Sequence, residues 1–178
     1  MDPLSQGAVA AVVAQQPTKL KNILVVTVLG FLSGMAPDLD ILIRSSSDPL
    51  LTLEFHRQFT HSLLFIPIGG FVCGVFFYNL FAKRFGLDFL STYYICTLGY
   101  ATHGLLDACT SYGTQLLWPF SNDRISWNTI SIIDPVFTIP ILFLIVLYVY
   151  KKNKIFCRLA LAWIMIYILF GYVQHERA

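Results

Sequence analysis

Charged side chains are scarce in this sequence. They make up 12% of its 178 residues, whereas a typical soluble domain has about 25%. Hydrophobic residues account for 56% of the chain, and the mean hydropathy is +0.67. Several apolar runs approach the ~20 residues that are needed to cross a bilayer as a helix. The scarcity of charge argues against a soluble domain and predicts an integral membrane protein.

Positive charge is also thinly spread. The net charge is +2, and no basic stripe of the kind that nucleic-acid binding requires is present, so no nucleic-acid partner is expected. The sequence opens on Met1-Asp2-Pro3 rather than on a positively charged stretch, and we therefore expect no cleaved signal peptide. The length suits one domain, which we expect to span residues 1–178.

Several common catalytic motifs are missing. The sequence has no GxSxG, HExxH or P-loop pattern, and Ser62 and Ser111 lack the surroundings of a nucleophilic serine. Its four cysteines have no CxxC spacing, which favours buried apolar positions over metal binding. They are Cys73, Cys96, Cys109 and Cys157.

The apolar segments predict an all-α, polytopic membrane protein with five to six membrane helices, the first of them short. A GxxxG pair, Gly30 and Gly34, predicts a close contact between helices. A loop of about 25 residues follows the fourth segment, and loops of that length are often functional. The predicted helical segments are 4–16, 20–36, 62–82, 88–109, 135–150 and 155–173.

Lysine and arginine are unequally divided between the two ends of these segments. One end carries eight, namely Lys19, Lys21, Lys83, Arg84, Lys151, Lys152, Lys154 and Arg158. The other carries four, namely Arg44, Arg57, Arg124 and Arg177. Because cytoplasmic loops are enriched in positive residues, we expect the first end to face the cytoplasm and the second to face outward.

Histidines and aspartates are concentrated near the predicted outer face. His103 and Asp107 are four apart and share one face of a helix. Such a pair either binds a metal or forms a hydrogen bond that joins helices. Asp38 and Asp40 follow a helix end, where acids either bind a cation or mark a solvated loop. The candidate ligands are Asp38, Asp40, His56, His61, His103 and Asp107.

This ligand set contains imidazole and carboxylate groups, which suit a divalent ion. Zn²⁺ fits the mixture best, Mn²⁺ or Fe²⁺ also fit it, and the carboxylates leave room for two or three ions. Arg57 has a planar fork that suits phosphate, although a lone arginine can equally anchor a protein in the headgroup region. The aromatic residues Trp118, Phe120 and Trp127 suit either an amphiphilic substrate or an interfacial belt.

Three strings carry a resemblance to a known family. They are PDLD at 37–40, HRQFTHSLLF at 56–65 and HGLLDACTSYGTQLLWPFS at 103–121. With them the chain resembles the YdjM-like family of bacterial inner-membrane proteins, which are described as membrane-bound metal-dependent hydrolases. That family is distantly similar to zinc-dependent phospholipase C and the S1/P1 nucleases, and the similarity implies phosphoester hydrolysis with the six candidate ligands.

The hypothesis of phosphoester hydrolysis also gives roles to other residues. Arg57 would hold phosphate, and Asp107 or Asp134 would serve as a base or support a ligand. Many family members have histidine near the position of Gln6, so we expect Gln6 and Asp2 to hydrogen-bond to ligands. We expect the same of Thr60 and Ser111. The substrate would be a lipid-like phosphoester at the extracytoplasmic face of the bacterial inner membrane.

Three other functions are compatible with the sequence. Metal-activated water can also cleave an ester or amide bond in a lipid. A metal-ion transporter or sensor without turnover would use similar ligands, and a structural protein would use His–Asp pairs only to fix its helices.

The predicted orientation can be tested with a reporter that is active only outside the cytoplasm. We expect activity when the reporter is inserted at Asn122, in the long loop. A silent reporter at Asn122, together with an active one inserted at Asn153, would contradict this topology.

Overall fold

A computed structural model describes residues 1–17, 22–43 and 56–177. Six α-helices and no β-strand are present in these ranges, which confirms the all-α prediction. The helices are α1 (Pro3–Gln15), α2 (Ile23–Met35), α3 (Ile66–Leu80), α4 (Phe89–Ala108), α5 (Pro135–Lys151) and α6 (Lys154–His175). The positions of Lys19, Lys21 and Arg44 in the charge count lie outside the described residues.

Short 3₁₀ segments extend two of these helices. The segment Ala36–Leu42 continues α2, and Leu63–Phe65 precedes α3. The resulting ranges Ile23–Leu42 and Leu63–Leu80, together with α6, are long and apolar enough to cross a membrane. Helix α5 is apolar but shorter. Large apolar side chains on the outer faces of α3, α5 and α6 are exposed, as expected for helices that face lipid.

Helix α1 lies buried at the centre of the bundle. It contacts α2, α4, α5 and α6, and nearly all of its side chains are buried. The Asp2 side chain caps its first turn by accepting from the Ser5 N–H at 2.9 Å, and Pro3 follows at the start of the helix. Its small side chains allow its neighbours to approach closely.

Glycine permits the closest of these contacts. A Cβ at Gly34 would collide with Ala10 and lie 3.2 Å from the Gln6 carbonyl oxygen, so the predicted GxxxG contact is confirmed as a contact between α2 and α1. A Cβ at Gly104 would collide with the His61 carbonyl oxygen. Helix α4 therefore lies directly against the backbone that carries His61.

The two ends of the bundle differ in composition. At one end, Lys154 donates to the Gln16 carbonyl and Asn22 donates to the Phe85 carbonyl, which brings the basic turns together. At the other end, Gln6 donates to Asp107 and His61 lies beside His103. The histidines and aspartates therefore lie opposite the basic turns.

The long connection between α4 and α5 packs back onto the bundle. Thr114 and Ile125 form an antiparallel bridge within it. The Gln115 N–H donates to the Arg57 carbonyl, and the Leu63 N–H donates to the Leu116 carbonyl. These bonds hold the 56–63 segment against the C-terminal end of α4, where it lies beside Asp107.

Candidate metal centre

Four side chains from three parts of the chain converge at one end of the bundle. Asp38 comes from the 3₁₀ segment after α2, His61 from the 3₁₀ turn Phe59–His61, and His103 and Asp107 from α4. One ligand atom from each lies within 4.8 Å of the others. His61, His103 and Asp107 are buried, and Asp38 is partly exposed. We call these four residues the metal cluster, because they could hold an ion.

Five of the six distances among the four atoms are close to those of a tetrahedral site. The Nε2 atoms of His61 and His103 are 3.0 Å apart. The Asp38 Oδ1 atom lies 3.5 and 3.3 Å from these nitrogens, and Asp107 Oδ2 lies 3.4 and 3.6 Å from them. Ligands that bind zinc tetrahedrally at 2.0–2.1 Å are about 3.3 Å from one another. These five distances therefore suit one tetrahedral ion.

In the neutral form of each histidine, the ring hydrogen is held on Nδ1 and Nε2 carries the lone pair. His103 Nδ1 contacts the Gly34 carbonyl oxygen, which can only accept, so the ring hydrogen is on Nδ1. Thr60 Oγ1 donates to Asp40 Oδ2 at 2.9 Å and lies 2.9 Å from His61 Nδ1. Because the threonine hydroxyl has one hydrogen, His61 Nδ1 must be the donor to it.

A bound cation would relieve the repulsion between atoms of the cluster. If both Nε2 atoms are unprotonated, their lone pairs 3.0 Å apart repel each other unless a proton or metal ion lies between them. Asp107 Oδ2 is buried, and its neighbours are the Arg57 guanidinium, with Nε at 3.1 Å, and the two histidine rings. Burying a carboxylate is costly unless positive charge compensates it. The cluster could therefore hold a proton or a divalent ion.

The raised pKa of His61 shows that positive charge is favoured in the cluster. Burial opposes protonation of the imidazole, but its hydrogen bonds with Asp107, Asp38 and Asp40 outweigh burial and raise the pKa of His61 to about 10. Without a metal ion, His61 therefore holds a proton at neutral pH. A metal ion must displace that proton, so the metal affinity should fall as the pH is lowered.

Asp40 and His56 were expected to bind metal, and the structure places them behind the cluster. Asp40 Oδ1 lies 2.8 Å from His56 Nδ1, and Asp40 Oδ2 accepts from the Arg57 N–H at 3.1 Å and from Thr60. His61 Nδ1 is 3.3 Å from the same oxygen. Both oxygens of Asp40 are therefore occupied by protein donors, and Asp40 orients His61 as carboxylates behind zinc-binding histidines do.

Gln6 lies beside Asp107, one of the candidate ligands. It is fully buried, and its Nε2 atom donates to Asp107 Oδ1 at 2.8 Å. The Met1 amino group contacts the same oxygen. These contacts use one oxygen of Asp107 and leave Oδ2 directed toward the two histidines.

Arg57 turns inward rather than toward solvent. Its backbone has a φ of +61°, an uncommon conformation for a residue other than glycine, and its N–H and carbonyl are bonded to Asp40 and Gln115. The guanidinium Nε lies 3.1 Å from Asp107 Oδ2 in ion-pair contact. Nη1 donates to Thr110 Oγ1 at 3.3 Å. Arg57 is thus placed to hold Asp107.

Three other expected site residues have different surroundings. Asp134 caps α5 by accepting from the Phe137 N–H and accepts from the Tyr167 hydroxyl at 2.8 Å, so its carboxylate ties α5 to α6. Asp2 caps α1 through Ser5. Ser111 lies exposed in the turn after α4. Both carboxylates therefore take part in helix capping, and their expected roles at the site stay predictions.

Sequence reasoning missed four residues near the cluster. The Gly34 carbonyl and Thr110 support His103 and Arg57, as described above. Tyr112 lies under two guanidinium groups, with the Arg57 Cζ 4.7 Å and the Arg124 Cζ 5.4 Å from its ring centroid. Tyr112 and Thr110 belong to the TSYG string beside Asp107, which was a local signal. Nothing in the sequence pointed to the Gly34 carbonyl or to Arg124.

The four cysteines are free and buried, which confirms their predicted apolar surroundings. None belongs to the metal cluster.

Comparisons with known proteins agree with the membrane character. The family described as "YdjM inner membrane protein" matches residues 1–178. The chain is 26% identical to uncharacterized protein YfhP of Bacillus subtilis (strain 168) over 124 residues, which cover 70% of this chain and 36% of that protein. It is 30% identical to inner membrane protein YbcI of Escherichia coli (strain K12) over 107 residues, which cover 58% of this chain and 60% of that protein. The chain therefore spans less than two thirds of either relative, and no solved structure matches it.

The position of Asp40 predicts that it supports metal binding without being a ligand. We expect Asp40→Asn to weaken zinc binding by about 10- to 100-fold, because the loss of a carboxylate behind a ligating histidine has that effect. Zinc titration of the chelator-treated protein measures this change. Asp123→Asn is a matched control, since Asp123 lies exposed in the loop and bonds to Ser121. Wild-type affinity in Asp40→Asn would contradict the assignment.

Proposed function

This chain belongs to the YdjM family of inner membrane proteins, and from that premise we propose that it is a metal-dependent hydrolase that cleaves phosphoesters in lipids or lipid-linked molecules. The observation that carries the proposal is the convergence of four potential ligand atoms, from two histidines and two aspartates, at one end of an apolar bundle. Asp38, His61, His103 and Asp107 would hold the ion, with Zn²⁺ as the best fit to this ligand set. When bound, the ion supplies the Lewis acidity that activates water and polarises a phosphoryl oxygen.

The partly exposed ligand defines the open side of the cluster. Asp38 is partly exposed, whereas the side chains of His61, His103 and Asp107 are fully buried. A substrate therefore approaches from the side of Asp38. Because four protein ligands would already complete a tetrahedral shell, turnover would require water to enter from this side as a fifth ligand, an expansion that zinc undergoes in some catalytic sites.

His56 is the residue best placed to move a proton. Its Nδ1 is 2.8 Å from Asp40 Oδ1, which fixes the ring, and its side chain is partly exposed. Its ring centroid is 5.9 Å from that of His61. We therefore assign the general acid–base role to His56 in place of Asp107, which the cluster uses as a ligand, and of Asp134, which caps a helix.

The charge around the cluster favours an anionic substrate. The Arg57 guanidinium is compensated by Asp107 at 3.1 Å. Arg124 is exposed, is stacked on Tyr112 and donates to the His56 carbonyl at 3.2 Å. Among the described residues, no carboxylate forms an ion pair with Arg124. We propose that Arg124 contacts the phosphate, while Arg57 positions Asp107.

A transporter would require ionisable groups that continue across the bundle. Helix α3 carries no Asp, Glu, Lys, Arg or His, and the metal cluster lies at one end. The location of the cluster therefore favours turnover at one membrane face over ion passage.

The proposal predicts bound metal and phosphoester hydrolysis in the same protein. The purified full chain is assayed for metal content and for hydrolysis of bis(4-nitrophenyl) phosphate, a phospholipid and a carboxylic ester. We expect His103→Ala to lose both the ion and the turnover, because it removes one of the four ligands. His175→Ala is the control, since His175 ends α6 and is exposed.

Three results would contradict the proposal. If the wild-type protein binds no divalent ion, the proposal has no basis. Hydrolysis of the carboxylic ester alone would show that the substrate is a lipid ester rather than a phosphoester. Bound metal without turnover, together with metal-dependent cation flux in vesicles, would show a transporter.

A further inference from the structure

We infer that an apolar groove between α2 and α3 binds one acyl chain of a bilayer lipid and places the headgroup of that lipid at the metal cluster. The inference rests on the proposed function, because it identifies the substrate as a membrane lipid that enters sideways from the bilayer.

The groove has purely hydrocarbon-like walls over most of its length. Its larger part is a cavity of about 470 Å³ whose α2 wall includes Leu32 and Met35 and whose α3 wall includes Val72 and Phe76. All of its lining residues are apolar. The volume lies in the range of about 300–1,000 Å³ that is usual for small-molecule sites.

A second cavity connects this groove to the metal cluster. It has a volume of about 280 Å³ and shares Ala36, Leu39, Val72 and Cys73 with the first. Its far end is formed by Asp40 and Thr60. Because both residues bond to His61, the groove ends beside the residues that orient a metal ligand.

The order of the lining residues gives the groove a direction. Along α2, the wall proceeds from Leu32 to Leu39 and then to Asp40, and along α3 it runs back from Phe77 to Phe65, near Thr60. Phe65 and Phe77 are separated by about 18 Å along a helix at 1.5 Å per residue. Half of the ~30 Å hydrocarbon layer is about 15 Å. The groove therefore has the length of one leaflet, with its polar end at the bundle end.

The position of the groove selects lipid as the occupant. Its walls belong to Ile23–Leu42 and Leu63–Leu80, two of the three helical ranges that are long and apolar enough to cross a membrane. A groove at that depth opens into acyl chains. An unbranched chain with a polar end matches a long apolar groove whose one end is formed by Asp40 and Thr60.

Photolabelling in a bilayer tests this inference without requiring turnover. The full chain is reconstituted in phosphatidylethanolamine–phosphatidylglycerol vesicles that contain a trace of phospholipid with a diazirine in one acyl chain. We expect labelling to saturate and to map to residues 32–39 and 72–77. Val72→Trp should abolish labelling there because it fills both cavities. Val75→Trp should retain it, since Val75 is an exposed valine one turn along the same helix that lines neither cavity.

The outcomes separate this inference from the proposed function. Labelling spread evenly over α2, α3 and α6 and insensitive to Val72→Trp would overturn the groove, even in protein that hydrolyses bis(4-nitrophenyl) phosphate. Groove labelling in protein without turnover would support the acyl-chain site and count against the hydrolase. A cross-link through the groove between two protein chains would place a second copy there and overturn the lipid assignment.

Discussion

The metal cluster depends on how two buried imidazoles and a buried carboxylate share positive charge. His61 and His103 direct their Nε2 atoms at each other across 3.0 Å, and Asp107 Oδ2 lies beside both rings and beside Arg57. The two rings repel each other when both Nε2 atoms are unprotonated, so a proton on His61 or a bound metal ion would stabilise the arrangement. The hydrogen bonds from His103 to Gly34 and from His61 to Thr60 maintain it, because they keep the ring hydrogens on the outer nitrogens.

The fold brings these atoms together through close contacts between helices. Gly34 lets α2 lie against α1 and presents its carbonyl to His103, and Gly104 lets α4 lie against the His61 backbone. Larger residues at either position would separate the three parts of the chain that carry the ligands. The same packing leaves the groove between α2 and α3, whose inner end reaches Thr60. Metal site and groove are therefore two consequences of one helix arrangement.

Sequence reasoning predicted the helices well and the site in outline. Long apolar segments predict helices by composition alone, and the four-residue spacing of His103 and Asp107 predicts a shared face. Sequence reasoning could not distinguish the position of Asp38 from that of Asp40, because both depend on how the 56–61 segment folds back. That fold-back depends on the positive φ of Arg57 and on bonds from the loop after α4, which no local pattern reveals. The contact of Asp134 with Tyr167 could not be predicted for a similar reason, since the two residues are distant in sequence.

X-ray absorption at the zinc edge, on the zinc-loaded full chain, tests the central claim most directly. The account predicts one ion per chain with four nitrogen or oxygen ligands at about 2.0–2.1 Å, and outer-shell scattering from two imidazoles. A sulfur ligand at about 2.3 Å, a second zinc close to the first, or failure to bind zinc stoichiometrically would contradict it.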